Sequence, residues 1–342
     1  MLMRKAETMA ADYYSELLDL EALDPESGRS GRTWDREGQG TVFASECFRA
    51  SQCGIASLAA SAGLLGEELQ IKLPPAQTLK ERLFLELPLP SGRLSLDELA
   101  NLSPKRLSEI ELNAWKPGCL SEHPEWLAVE RPVREDWNAR RVDNRDAGQV
   151  LDFYRQSESY IFELMAANHL VETLYNYSVT VGKLAKVGVT ELLDYGAGIG
   201  SFALAARAAG IRVRHMDLES KTLAFARWRY ETRSAGVDVI VASGDHDDIP
   251  RSQAIVCTEV VEHLTQPIAL LDALAAATIE GGCVVVSESC HYLEKFISHL
   301  PQNQWLGGNE FLRQMSIRGF KEVFPEPAVH PKVFQKQGPR ST

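Results

Sequence analysis

Residues 146–342 are predicted to fold as an α/β three-layer αβα sandwich, and three observations carry that prediction. Helical and strand-like segments alternate along the stretch. A short apolar strand at 190–194 runs into a turn with three glycines, then into an alanine-rich helix. After the last strand–helix repeat, two β-like runs at 321–324 and 328–335 read as a closing hairpin. A mainly helical region, residues 1–145, precedes this part.

In that first region, apolar residues at helical spacing (Met9, Tyr13, Leu17, Leu20) predict an amphipathic helix over 6–23, followed by a Gly- and Ser-rich loop to residue 40. A second helix is expected at 48–65, where small residues allow close packing. Pro74, Pro75, Pro88 and Pro90 keep the next stretch irregular, and short helices are expected at 95–101 and 104–114, the latter capped by Ser103. Residues 116–149, dense in charge, read as a connector. Trp34, Trp115, Trp126 and Trp137 are costly to leave in water, so part of 1–145 is expected to pack over the substrate edge as a cap.

From Gly148 onward the expected elements are helices at 150–166 and 167–186, the strand ending at Asp194, and a helix at 201–209. Then come a strand at 211–216 ending on Asp217, a helix at 219–234, a strand at 237–242, and a strand at 254–258. A helix at 267–278, a Gly281-Gly282 turn, a strand at 283–287 and a helix at 309–317 complete the pattern before the hairpin.

The glycine turn is the chemically informative stretch. Glycine lets bare backbone approach a ligand. The dinucleotide fingerprint spaces its glycines G-x-G-x-x-G around a pyrophosphate. Here Gly196, Gly198 and Gly200 follow G-x-G-x-G, and Ser201 stands where the third dinucleotide glycine would be. Asp194, just before the turn, is a poor neighbour for a pyrophosphate and suits a ligand with a cationic end, such as the ammonium and sulfonium of S-adenosylmethionine. Asp217, at the end of the next strand and 23 residues beyond Asp194, is placed to accept ribose hydroxyls.

Composition excludes other classes. The 342 residues are 44% hydrophobic and 24% charged, with a formal net charge of −11. That charge disfavours a phosphate-binding surface, so no nucleic-acid partner is expected. No apolar run approaches the ~18 residues of a membrane span, and Met1 to Lys5 open no signal-peptide pattern. Six cysteines without a C-x-x-C pair read as reduced thiols of a cytoplasmic protein.

The segments LLDYGAGIG, VRHMDLESKTLAFAR, SGDHDDIP, IVCTEVVEHL, EGGCVVVSES and FLRQMSIRGFKEV, in this order over about 188–336, together resemble the class I S-adenosylmethionine-dependent methyltransferases. The EVVEHL segment is similar to the branch that holds the ubiquinone-biosynthesis O-methyltransferases. The resemblance implies a Rossmann-like, seven-stranded sheet and S-adenosyl-L-methionine as cofactor. It implies that Gly196, Gly198 and Gly200 pass the methionine part, with Asp194 near its ammonium. Asp217, followed by Leu218, would hold the ribose, Asp245 and His246 would face the adenine, and Thr258 and Glu259 would lie beside the transferred methyl. Two positions depart from the family pattern: Gln253-Ala254 opens the fourth strand where an aromatic–Asp pair is usual, and Glu280 replaces a Pro.

Glu259, Glu262 and His263 would share one face of a helix that began at 259, giving a divalent-metal half-site for magnesium or manganese. The segment also resembles the metal-binding E-V-x-E-H of small-RNA 2′-O-methyltransferases, which carry a further histidine downstream; His291 and His299 follow here. The alternative is that Glu262 and His263 cap and orient that helix while Glu259 lines the pocket. General-base candidates are Glu259, His263 and His291. The fourth strand has neither the Asn/Asp-Pro-Pro-aromatic signature of nucleic-acid amino-methylases nor a Pro-Cys nucleophile. The expected function is methylation of a small-molecule acceptor, oxygen favoured. The alternatives are a protein or peptide side chain as acceptor, or a non-catalytic cofactor-binding protein.

Overall fold

The computed structural model describes residues 88–89, 92–93, 104–124, 126, 131–168, 171–242, 244, 249–288, 290, 296–323 and 331–338. The chain divides into two compact units: residues 1–129 with 165–182 and 326–329, and residues 130–164 with 183–325 and 330–342. The expected helices at 6–23, 48–65 and 95–101 lie outside the described residues.

In the first unit, Pro88–Leu89 and Gly92–Arg93 pair antiparallel. Helix α1 (Pro104–Trp115) follows, then the short α2 (Cys119–Glu122). Leu107, Leu112, Cys119 and Trp126 are buried, and the Cys119 thiol donates to the Leu112 carbonyl at 3.4 Å.

The second unit holds α3 (Arg131–Arg140) and α4 (Ala147–Gln156). Helix α3 corrects the expected connector. Its charge density hides an i, i+4 pair, Val133 and Trp137, that is buried against Val150, Phe153 and Leu300. Helix α4 is capped by Asp146, whose carboxylate accepts from Gly148 and Gln149. One expected helix over 150–166 is in fact two, because Ser157 is extended and its hydroxyl bonds Ser159 at 2.8 Å. Helices α5 (Ser159–Asn168) and α6 (Val171–Lys186) lead to the sheet.

The sheet alternates with helices as follows: β1 (Glu191–Tyr195), α7 (Ser201–Ala208), β2 (Arg212–Leu218), α8 (Lys221–Thr232), β3 (Asp238–Ala242), β4 (Ser252–Cys257), α9 (Pro267–Ala277), β5 (Thr278–Val286), α10 (Asn309–Ile317), β6 (Phe320–Val323) and β7 (Lys332–Lys336). The strand order is β3-β2-β1-β4-β5-β7-β6. Strands β1 to β5 are parallel, and β7 runs antiparallel between β5 and β6. This is the seven-stranded, Rossmann-like sheet expected from the sequence. Leu192 and Leu193 both have no exposure, as a central parallel strand covered on both faces requires. One side of the core joins Leu193, Ile255, Leu270, Leu274, Phe311 and Phe334.

Gln253, one of the two departures from the family pattern, has a structural task. Its amide oxygen accepts from the Thr190 and Glu191 N–H groups and its nitrogen donates to Gly188, tying the start of β4 to the start of β1. The chain winds to one side through β2 and β3 and to the other through β4 and β5. The order therefore reverses between β1 and β4, and the carboxyl ends of those strands open the crevice where such sheets bind ligands.

Candidate active site

The glycine turn connects β1 to α7 at this crevice. Gly196, Gly198 and Gly200 all have φ between +55° and +74°, the left-handed region that other residues occupy at a cost. Their bare faces also meet protein. A Cβ at Gly196 would stand 2.5 Å from Val260, at Gly198 2.9 Å from Leu164, and at Gly200 2.0 Å from the Tyr230 hydroxyl. The sequence suggests a glycine turn that lets backbone approach a ligand; the geometry adds packing against Val260, Leu164 and Tyr230.

Asp217 ends β2 beside the turn. One carboxylate oxygen accepts the Gly198 N–H at 2.7 Å and the other accepts the Leu218 N–H at 2.7 Å. Asp194 lies deeper, 2% exposed. It accepts from the Ala203 N–H in the first turn of α7, whose N-cap, Gly200, has no side chain to offer, and its second oxygen has no partner. Asp194 thus organises the turn from beneath.

Burial pushes the Asp194 carboxyl up to about 8, with the Asp217 charge adding to it. Burial also raises Asp217, to about 6, against its two backbone hydrogen bonds; its side chain keeps 16% exposure, which tempers the effect. Both groups hold protons in the fold at pH values where the unfolded chain, near 3.8, has lost them. Stability of the unliganded protein should therefore fall as pH rises from about 4 to about 8. Thermal melts across that range should show the decline, and Asp194→Asn should flatten it. An unchanged profile in the variant would contradict the assignment.

Three residues brace the turn from below and from α8: Arg229 and Tyr230, which sequence reasoning passed over, and His215, which it read as structural or solvated. Arg229, 4% exposed, donates to the Ile199 carbonyl at 2.7 Å and the Ser201 hydroxyl at 2.8 Å. Tyr230 fills the space at Gly200 and its hydroxyl lies 2.6 Å from Nδ1 of buried His215. Burial lowers the His215 pKa to about 3, so the ring is neutral. With Tyr230 donating to Nδ1, Nε2–H faces the Asp217 carboxylate 3.9 Å away. Tyr230→Phe should cost about 1 kcal/mol of stability and weaken S-adenosylhomocysteine binding several-fold. Urea unfolding and calorimetry would check both, and unchanged values would remove Tyr230 from the brace.

At the end of β4, Thr258 and Glu259 lead into a single 3₁₀ turn, Val261–His263. The α-helical face expected for Glu259, Glu262 and His263 is therefore absent. Glu259 stands before the turn at φ +53°, a strained value for a non-glycine residue, with its N–H donated to the Ser287 hydroxyl at 3.0 Å. Instead, Glu262 and His263 come together with His299; one ligand atom from each lies within 4.8 Å of the others, and all three are buried. The Leu300 N–H donates to the Glu262 carbonyl at 2.9 Å, and the Asn303 side chain donates to the carbonyls of Glu262 and Leu264. These bonds pin the 298–303 segment to the turn.

His263 Nδ1 lies 3.0 Å from the Ser298 carbonyl and 2.8 Å from the Tyr154 hydroxyl, which itself lies 3.3 Å from Ser298 O. All three contacts are satisfied when Nδ1–H donates to both oxygens and the tyrosine O–H donates to Ser298. Nε2 is then unprotonated. Burial lowers the His263 pKa, which keeps the ring neutral. Burial raises Glu262 well above the usual carboxylate range, and the neighbouring Glu259 charge raises it further. Asp245, His246 and His291 lie outside the described residues.

A family model described as a methyltransferase domain matches residues 180–328, the span from the end of α6 through β6. The domain is a class I S-adenosylmethionine-dependent methyltransferase. Its cofactor is S-adenosylmethionine, and an acceptor substrate is implied. Among solved structures, this methyltransferase is similar to human N-acetylserotonin methyltransferase in complex with S-adenosylmethionine, at 16% identity over 87% of this chain and 94% of that one (TM-score 0.43). It is also similar to an O-methyltransferase family protein from Burkholderia thailandensis, at 14% identity over 60% and 71% (TM-score 0.38). A third is magnesium protoporphyrin IX methyltransferase from Synechocystis PCC 6803 with bound S-adenosylhomocysteine, at 14% identity over 49% and 84% (TM-score 0.37). No curated protein matches the sequence. Among the described residues, no helix is long and apolar enough to cross a membrane.

Proposed function

We propose that this methyltransferase acts on a small-molecule acceptor, with oxygen the favoured acceptor atom. The observation that carries the reading is a wall of rings beside Glu259. Tyr154 stands 5.2 Å from Tyr160 and 5.6 Å from His263, and His263 stands 4.8 Å from His299, all edge to face. Such a wall within one compact unit favours a small enclosed acceptor over an extended polypeptide. The net charge of −11 weighs against nucleic acid. Cys119, Cys257, Cys283 and Cys290 are thiols outside any disulfide, which suits a cytoplasmic setting.

In this reading Gly196, Gly198 and Gly200 pass the methionine part of the donor, while Asp217 and Leu218 hold the ribose. Asp194 acts through the turn, Asp245 and His246 meet the adenine, and Thr258 and Glu259 lie beside the methyl group. Methyl transfer from a sulfonium is an in-line displacement governed by positioning. The acceptor oxygen attacks the methyl carbon, the carbon–sulfur bond breaks, S-adenosylhomocysteine leaves, and the hydroxyl proton passes to a base. Glu259, held in its strained conformation, is that base here, ahead of His263 and His291. A divalent ion belongs to the same site.

The test is incubation with methyl-labelled donor and a cell extract separated by size. Label in one low-mass product that mass spectrometry resolves to an oxygen methyl is the expected result. Label retained in protein would replace this reading with side-chain methylation.

A further inference from the structure

We infer that Tyr160 binds the methyl donor, its hydroxyl donating a hydrogen bond to the carboxylate of the donor's methionine part. The inference rests on the proposed placement of that part at the glycine turn, and it adds the group that recognises its anionic end.

The glycines of the turn have no N–H left for a carboxylate. The Gly196 N–H is donated to the Met216 carbonyl at 2.8 Å, the Gly198 N–H to Asp217 at 2.7 Å and the Gly200 N–H to the Ala197 carbonyl at 2.8 Å. Arg229 directs its guanidinium to the Ile199 carbonyl and the Ser201 hydroxyl. Asp217 adds acceptor oxygens, and Asp194 is buried beneath the turn. A bound carboxylate therefore needs a donor from another element.

Helix α5 supplies one. Leu164 lies against the bare face of Gly198, 2.9 Å from where a Cβ would stand. Tyr160 precedes Leu164 by one helical turn, so it shares the face that looks on the glycines. It is half-buried, and its ring packs edge to face at 5.2 Å from Tyr154 and 6.3 Å from His263. The hydroxyl is within electrostatic reach of Asp217 on the donor side and of Glu262 on the acceptor side. Among the described residues, nonetheless, none accepts a hydrogen bond from it. Burial and the neighbouring carboxylates raise the phenol well above the usual tyrosine range, so it keeps its proton and donates.

The corner that carries Tyr160 is fixed from behind. The Ser159 hydroxyl donates to Asp136 of α3 at 3.2 Å and meets the Ser157 hydroxyl at 2.8 Å. Glu158 lies 3.8 Å from Lys221, at the start of α8. A group held in this way loses little freedom when a ligand arrives. Tyr160 lies ahead of the 180–328 span that the methyltransferase-domain model matches, so this contact comes from the helices that precede the domain.

The test is calorimetry on the full chain with S-adenosylhomocysteine and with its decarboxylated analogue, which differs by the carboxylate alone. Tyr160→Phe removes one oxygen and keeps the ring, with circular dichroism reporting on the fold. The variant should bind S-adenosylhomocysteine about tenfold or more weakly, as loss of a hydrogen bond to a charged group predicts. Its affinity for the analogue should be unchanged. Unchanged S-adenosylhomocysteine affinity in the folded variant would overturn the inference while leaving the turn's role standing. Equal weakening of both ligands would overturn it too, since the hydroxyl would then serve a part that they share. A wild-type chain that binds neither ligand would overturn the methyl-donor reading and this inference with it.

Discussion

Replacing Gly200 with alanine is expected to abolish measurable S-adenosylhomocysteine binding and to lower the melting temperature. Two costs act together. The residue stands at φ +74°, where a Cβ costs roughly 1–2 kcal/mol. That Cβ would also lie 2.0 Å from the Tyr230 hydroxyl, so either the turn or Tyr230 must move. Moving Tyr230 breaks its contact with His215 and leaves a buried imidazole unpaired, adding about 1–3 kcal/mol. Gly210→Ala provides the control, since Gly210 has φ +87° but no atom within 4 Å of its Cβ position. It should show the backbone cost alone, with near-normal ligand affinity. Equal behaviour of the two variants would mean that the Tyr230 contact does not shape the turn.

Asp217→Ala is expected to weaken S-adenosylhomocysteine binding by about 1–3 kcal/mol, roughly 5- to 150-fold. In the proposed reading the carboxylate accepts the ribose hydroxyls; in the structure it holds the Gly198 and Leu218 N–H groups. Its loss therefore acts on the ligand directly and on the turn. Calorimetry separates these effects when the variant is compared with Asp217→Glu, which keeps the charge but shifts the oxygens by one methylene. Affinity unchanged in Asp217→Ala would place the ribose elsewhere.

Much of this site was legible in the sequence because its elements are local. A strand, a three-glycine turn and a helix within 191–208 leave little freedom, and Asp217 follows from where the second parallel strand must end. The seven strands were visible for the same reason: each apolar run is bounded by Gly, Pro or charge. Helix α3 was not, since a dense run of charges obscured the single i, i+4 pair, Val133 and Trp137, that buries it. The 258–263 segment misled in another way. Its E-x-x-E-H spacing invites an α-helix, but the left-handed backbone at Glu259 and a single 3₁₀ turn redirect the side chains. The convergence of His299 on Glu262 and His263 depends on backbone bonds from Leu300 and on Asn303, contacts between segments some forty positions apart that no local pattern announces. Tyr230 and Arg229 were passed over likewise, because on a helix their types suggest packing and solvent rather than the underside of a turn.

The central claim is that a methyl donor binds where β1 and β2 end. Titration calorimetry of the unmodified chain with S-adenosylhomocysteine and, separately, with NADH tests it most directly. Saturable one-to-one binding of S-adenosylhomocysteine and no heat from NADH are expected. Binding of NADH with none of S-adenosylhomocysteine would contradict the assignment of the glycine turn and of Asp217 together.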